Sequence, residues 1–159
     1  MLADLPFLAE VPADGGGDFL ALATGGYVPA RHFAAATGDF VSQAERFLGV
    51  PYLWGGRSAR GLDCSALVQL ALMATGVAAP RDSDMQALLG TEVPADAPRR
   101  RGDLYFWTGH VGMLRDPDTL LHANGFHMAV AAEPLAPTIA RIEAAGDGPV
   151  VARRRLDAA

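Results

Sequence analysis

The sequence predicts an α+β fold in which N-terminal helices pack on a C-terminal antiparallel sheet. Three observations predict it. Apolar residues recur at helical spacing from Phe40 to Thr75. Short strand-like runs separated by turn signals fill residues 103–132. The helical half precedes the strand half, an order that gives helices beside a meander.

Residues 1–38 read differently from the rest. Asp14-Gly15-Gly16-Gly17-Asp18 is a loop, Phe19–Ala23 a short strand, Thr24-Gly25-Gly26 a turn and Tyr27–Pro29 a second strand. Two short strands do not make a stable domain alone, so they belong to something larger or dock on the remainder. The expected organisation is therefore a partial segment with linker over 1–38 and one domain over 39–159.

Asp39 can cap a helix whose face is Phe40, Ala44, Phe47 and Leu48, with Gly49 as its stop. Residues 50–60 form a loop rich in Gly, Pro and aromatics. The next helix spans Cys64 to Thr75, with Asp63 at its start and Gly76 as its C-terminal signal. Its apolar residues run nearly all round, which places it inside the fold. A weaker helix covers Asp82 to Leu89. Strands follow at Asp103–Trp107, His110–Arg115, Thr119–Ala123, His127–Ala132 and Pro149–Leu156, with Asn124-Gly125 as a two-residue hairpin turn. The triplets Arg99–Arg101 and Arg153–Arg155 read as solvated or strand-edge charge.

Composition excludes several function classes. Of 159 residues half are hydrophobic and 19% charged, enough to fill a core. A net charge of −5, from 13 basic and 18 acidic residues, offers no footprint for nucleic acid or anionic membranes. The longest apolar runs, such as 66–74, are too short to span a bilayer. The N-terminus has neither a basic region nor a long apolar core, so no signal peptide is expected. A single cysteine forbids an internal disulfide and any Cys-x-x-Cys zinc site.

That cysteine, Cys64, is either a small buried hydrophobe or a nucleophile. It opens the most apolar helix of the chain, behind a Gly-rich loop and Asp63. A helix N-terminus and a nearby imidazolium both lower a thiol pKa, so the position suits a reactive thiol. Four histidines could supply the base. His110 begins a strand directly after Thr108-Gly109. His122 lies near the end of the next strand, and a hairpin symmetric about residue 116 pairs the two on one face. A second ring beside the base could orient it, as the third member of a triad does. His32 and His127 have no such placement and read as structural. Two histidines with Cys64 could bind zinc, but the ligand spacing is thin, and no metal or organic cofactor is expected.

Tyr52-Leu53-Trp54-Gly55-Gly56, then Gly61-Leu62-Asp63-Cys64-Ser65-Ala66-Leu67-Val68, then Gly102-Asp103-Leu104 and Gly109-His110-Val111-Gly112-Met113 closely resemble the NlpC-type bacterial cell-wall peptidases, which are papain-like cysteine enzymes. The resemblance covers about residues 40–155. Ala66 stands where the family usually has Gly, and Pro80-Arg81-Asp82-Ser83 through Gln86 matches a further family stretch. It implies a papain-like fold, with Cys64 as nucleophile, His110 as general base, His122 as the residue that orients it and Tyr52 near the oxyanion. It also implies substrate-binding roles for Asp63, Ser65, Trp54 and Arg81, with Asp63 and Ser65 holding the amino group of an N-terminal L-alanine. Asp63 can serve equally as a helix cap. Residues 18–33 resemble the last strands of a bacterial SH3-like domain, which relatives often carry before the peptidase.

The implied activity is hydrolysis of the γ-D-glutamyl–diamino-acid bond in peptidoglycan stem peptides, in wall turnover or peptide recycling. A cysteine amidase or acyltransferase on the same fold is the nearest alternative. A catalytically silent wall-binding module is another, and the intact Cys64, His110 and His122 argue against it. The substrate partner is a peptidoglycan-derived peptide, with no nucleic acid and no membrane span. The missing leader and disulfide lean towards the cytoplasm, with a periplasmic or wall location as the alternative. Oligomeric state is not legible.

Overall fold

The computed structural model describes residues 7–10, 12–33 and 38–156; the rest of the 1–38 segment and the C-terminal 157–159 lie outside the description. Near the N-terminus, β1 (Ala13–Asp14), β2 (Phe19–Leu22) and β3 (Tyr27–Pro29) make a small antiparallel sheet. β2 and β3 fall where the sequence places strands. β1 is an addition, pairing Ala13 with Leu22 and Asp14 with Ala21. No residue of this sheet is buried, and Phe19 and Tyr27 are exposed.

Helix α1 (Phe40–Glu45) starts on Asp39, whose carboxylate accepts the Ser42 amide at 2.8 Å. It is shorter than expected, and a turn carries the chain on to Gly49. The buried face is Val41, Ala44 and Phe47, while Leu48 points outward. An extended stretch then ties two distant parts together. Val50 and Tyr52 pair with the 128–130 segment, and Pro51 to Leu53 pair with Leu62. A tight ribbon of β4 (Arg57–Ser58) and β5 (Gly61–Leu62) delivers the chain to the next helix. Gly56 permits this approach, since a Cβ there would lie 2.6 Å from the Gly61 carbonyl oxygen.

Helix α2 (Cys64–Ala74) is the centre of the molecule, with every residue from Cys64 to Leu72 buried. A short α3 (Ser83–Gln86) follows, and Gln86 clamps it back by donating to the carbonyls of Ser65 and Pro80. The main sheet contains β6 (Thr91–Glu92), β7 (Leu104–Trp107), β8 (His110–Asp116), β9 (Thr119–Asn124), β10 (Ala129–Pro134) and β11 (Ala152–Arg155). It is antiparallel throughout, in the order β10-β9-β8-β7-β11-β6. A helix α4 (Leu135–Ala144), absent from the sequence reading, lies between β10 and β11. Pro134 and Pro137 disguise it. Both sit at its start, where amides have no intrahelical acceptor and proline costs little.

The sheet is covered on both faces. Leu104, Phe106, Val111, Met113, Leu121 and Ala123 pack under α1 and α2. Tyr105, Trp107, Leu114 and Leu120 pack under Leu135 and Ile142 of α4. Strand side chains alternate, so the two clusters take alternate residues of the same strands. Double coverage explains why Leu104–Trp107 is apolar without a break.

Two expectations need correction. Arg153 is not solvated charge: it is buried, donates to the Asp103 carboxylate at 2.7 Å and reaches the carbonyls of Pro94, Ala97 and Pro98. Arg155 grips the same carboxylate, which locks β11 to the start of β7. The β8–β9 hairpin is also not symmetric about residue 116. Asp116 pairs with Thr119, and a bulge after Leu114 sets Met113 opposite Leu121. His122 is therefore diagonal to His110 rather than opposite it.

Candidate active site

Cys64 is the first residue of α2 and Asp63 its cap, accepting the Ala66 amide at 2.9 Å. The Cys64 amide, like others in a first helical turn, has no intrahelical acceptor. The Val111 amide faces the sulfur, so the nucleophile candidate sits against the start of β8, whose first residue is His110. His110 is placed there by the Thr108-Gly109 turn, with Gly109 at φ +75° and Trp107 paired to His110.

The two histidine rings meet edge to face. His110 Nε2 lies 2.8 Å from His122 Nδ1, so the bulge shifts the pairing without separating them. Beyond His122 the chain of contacts continues. His122 Nε2 lies 2.7 Å from a Glu133 carboxylate oxygen, and Arg141 of α4 donates to the same oxygen. His122 is 1% exposed. Trp107 lies against His110, ring centroids 5.7 Å apart. Sequence reasoning missed Glu133 and Arg141. His127, read as structural, donates its amide to Asn124 Oδ1 and lies 3.7 Å from Glu133.

The cleft beside Cys64 has a volume of about 430 Å³ and is walled by Tyr52, Trp54, Asp63, Ser65 and Arg81, together with Asp82 and Ser83. All the expected binding residues therefore share one cavity, but not with the expected freedom. Asp63 accepts five hydrogen bonds: from the Gly55 and Ala66 amides, from Ser65 Oγ, and from both terminal nitrogens of Arg81. Ser65 Oγ also accepts from Arg81 at 2.8 Å. Asp63 and Ser65 are thus engaged with Arg81 at the cleft wall. They bind Arg81 and fix the start of α2. The carboxylate left over is Asp82, which is exposed and makes no capping hydrogen bond. Its signal was in the sequence, one position after Arg81. Trp54 stands 86% exposed at the rim.

Burial also acts on the titratable groups. Burial pushes the Cys64 thiol up, against the pull of the Val111 amide. Burial pushes His110 down, aided by His122 and Arg141, from 6.5 to about 3. Both shifts favour the uncharged forms of the thiol and the imidazole. Tyr52 is raised by burial and by the charges of Cys64 and Asp63, and it lines the same cleft as Cys64. For Asp63 and Glu133 burial works against ionisation, but the hydrogen bonds they accept outweigh it. Both carboxylates stay charged, Glu133 with its pKa lowered to about 2.

A cysteine at the head of a buried helix, packed against an antiparallel sheet that carries paired imidazoles, is the arrangement of the papain-like class of fold. Residues 49–140 match the NlpC/P60 family, and the chain belongs to it. Among similar proteins, the γ-D-glutamyl-L-lysine dipeptidyl-peptidase of Bacillus subtilis (strain 168) is 36% identical over 104 residues, covering 60% of this chain and 35% of that protein. The peptidoglycan endopeptidase RipB of Mycobacterium tuberculosis is 32% identical over 125 residues, 68% of this chain and 52% of that one. The crystal structure of an NlpC/P60 family protein from Bacillus cereus ATCC 10987 superposes with a TM-score of 0.73 at 25% identity, over 91% of this chain and 53% of that one. The chain spans about a third to a half of the length of these curated relatives. Among the described residues no helix is long and apolar enough to cross a membrane.

Proposed function

We propose that this chain is a cysteine endopeptidase that hydrolyses the γ-D-glutamyl–diamino-acid bond of peptidoglycan stem peptides. The observation that carries the reading is the placement of Cys64, at the head of α2, in one cleft with Tyr52 and against the Val111 amide, next in sequence to His110, which meets a carboxylate-held His122. The activities for which the related Bacillus and Mycobacterium proteins are named support it.

In this reading the Cys64 sulfur attacks the γ-carbonyl of D-glutamate while His110 takes the thiol proton. The oxyanion forms beside the Tyr52 hydroxyl and the Cys64 amide. Collapse breaks the C–N bond, and His110 returns the proton to the leaving amine. Water then attacks the thioester, giving up a proton through His110 to the sulfur and releasing the γ-carboxylate. His122 orients His110.

Asp63, Arg81 and Asp82 together leave one negative charge in the cleft, so it favours an ammonium. We assign that ammonium, the free amino group of an N-terminal L-alanine, to Asp82. Trp54 supplies an apolar rim. A free amino group belongs to peptides already cut from the sugar chain, which favours recycling over attack on intact wall. We also read residues 1–38 as a fragment of an SH3-like domain preceding a peptidase domain over 39–159.

The test is mass spectrometry of L-Ala-γ-D-Glu-L-Lys and its diaminopimelate counterpart after incubation with the protein. The expected products are L-Ala-D-Glu and the free diamino acid, with the N-acetylated tripeptides cut far more slowly. Cleavage only at another bond, or transfer of the acyl group to an added amine without hydrolysis, would overturn the reading. Equal cleavage of the acetylated peptides would overturn the role of Asp82 alone.

A further inference from the structure

Beyond the paired imidazoles lies a carboxylate that the reaction as described does not use. Glu133 is on β10, with its side chain only 14% exposed. Its oxygen Oε1 lies 2.7 Å from His122 Nε2, and Arg141 donates to that same oxygen. Arg141 is itself fixed, its guanidinium 4.0 Å above the Phe126 ring. The contacts run without a break from Arg141 through Glu133 and His122 to His110.

Such a chain allows few proton arrangements. A carboxylate held by an arginine is charged and can only accept. His122 must then carry its proton on Nε2, because a bare Nε2 would set a lone pair against the carboxylate. A neutral His122 has only one ring proton, so its Nδ1 is an acceptor. His110 must therefore donate from Nε2, which leaves its Nδ1 as the bare nitrogen. A cationic His122 would reverse this by donating to His110, but the ring is buried and Arg141 stands nearby. Burial, opposed by Glu133, holds the His122 pKa below its ordinary value.

We propose that Glu133, held by Arg141, is a positioning residue that fixes the tautomers of both histidines and keeps Nδ1 of His110 free to take the Cys64 proton. This rests on the reading of Cys64 and His110 as nucleophile and base, but the tautomers can be measured without any turnover.

The experiment is long-range proton–nitrogen correlation spectroscopy of the protein with ¹⁵N-labelled histidine near pH 7.5. His110 and His122 should both be protonated on Nε2 and bare on Nδ1. A cationic His122, or a His110 protonated on Nδ1, would overturn the proposal, and this arm needs no variant to fold. The second arm is Glu133→Gln, whose neutral amide can donate as well as accept and so no longer dictates which His122 nitrogen carries the proton. With secondary structure and Tm retained, kcat should fall about tenfold or more with KM within about twofold, and His110 should lose its single tautomer. Unchanged kcat with an unchanged His110 spectrum would overturn it. A wild-type protein that shows the expected tautomers but does not cut the γ-glutamyl peptides would sink the proposed function and leave the tautomer lock standing.

Discussion

The helix wall and the sheet wall of the cleft are built on the same pair of groups and use it differently. On the helix wall Arg81 holds Asp63, and Asp63 caps the helix that presents Cys64. On the sheet wall Arg141 holds Glu133, and Glu133 faces the imidazole that meets His110. In each case an arginine keeps a mostly buried carboxylate charged. The first carboxylate fixes a backbone; the second fixes a proton. The first should therefore matter mainly to stability, and the second mainly to rate.

The largest effect that sharpens this contrast belongs to the sheet wall. His110→Ala should lower kcat by about a thousandfold, while urea denaturation near pH 7.5 shows a stability close to wild type. A comparable loss of stability would blur the two walls. Next comes the helix wall. Asp63→Ala removes a cap and strands Arg81 in a half-buried site, so it should cost about 3 kcal/mol in the same denaturation measurement. A loss below about 1 kcal/mol would mean that Asp63 is not the anchor of α2.

The third prediction concerns pH. The folded His110 titrates near 3 rather than 6.5, so the unfolded chain takes up its proton first as acid is added. Stability contributed by the neutral ring is complete above about pH 6.5 and declines as pH falls towards 3, by up to about 1.4 kcal/mol per unit for each such group. Glu133 has the same sign at lower pH, since its folded pKa is also depressed. Denaturation midpoints at pH 7 and pH 5 should differ less for His110→Asn than for wild type, and equal differences would contradict the buried neutral ring. The smallest effect lies in the loop after β9. Asn124→Ala loses the hydrogen bond from the His127 amide and should cost about 1 kcal/mol, with kcat changed less than twofold.

The two walls also differ in how far they can be read from sequence. Asp63, Cys64 and Ser65 are neighbours, and a cap before a buried helix is a local signal. The boundaries of α2 follow from it. Arg81 and Asp82 were visible as a motif, but which carboxylate the arginine takes depends on the fold. The sheet wall depends on register. A two-residue turn on Asn124-Gly125 would set His127 opposite His122 and carry Glu133 out of reach. The structure instead uses a wider loop, in which Asn124 accepts the His127 amide and Met128 takes φ +52°. Ala131 then faces His122, and Glu133 falls diagonally beside it on the same face of the sheet. The loop is held open by Tyr52, whose amide donates to the Met128 carbonyl. No local pattern announces that contact. Helix α4 was hidden by prolines that are harmless in a first turn, and with it went Arg141. Burial likewise has no local signature: it pushes the Cys64 thiol up and His110 down, where a helix start and a nearby histidine suggest the opposite.

The account depends most on Cys64 as the bond-breaking atom. The decisive measurement is the rate at which purified Cys64→Ala protein cleaves L-Ala-γ-D-Glu-diaminopimelate, with folding checked by circular dichroism. No cleavage should be detectable from a protein whose fold is intact. Cleavage at the wild-type rate would contradict the account.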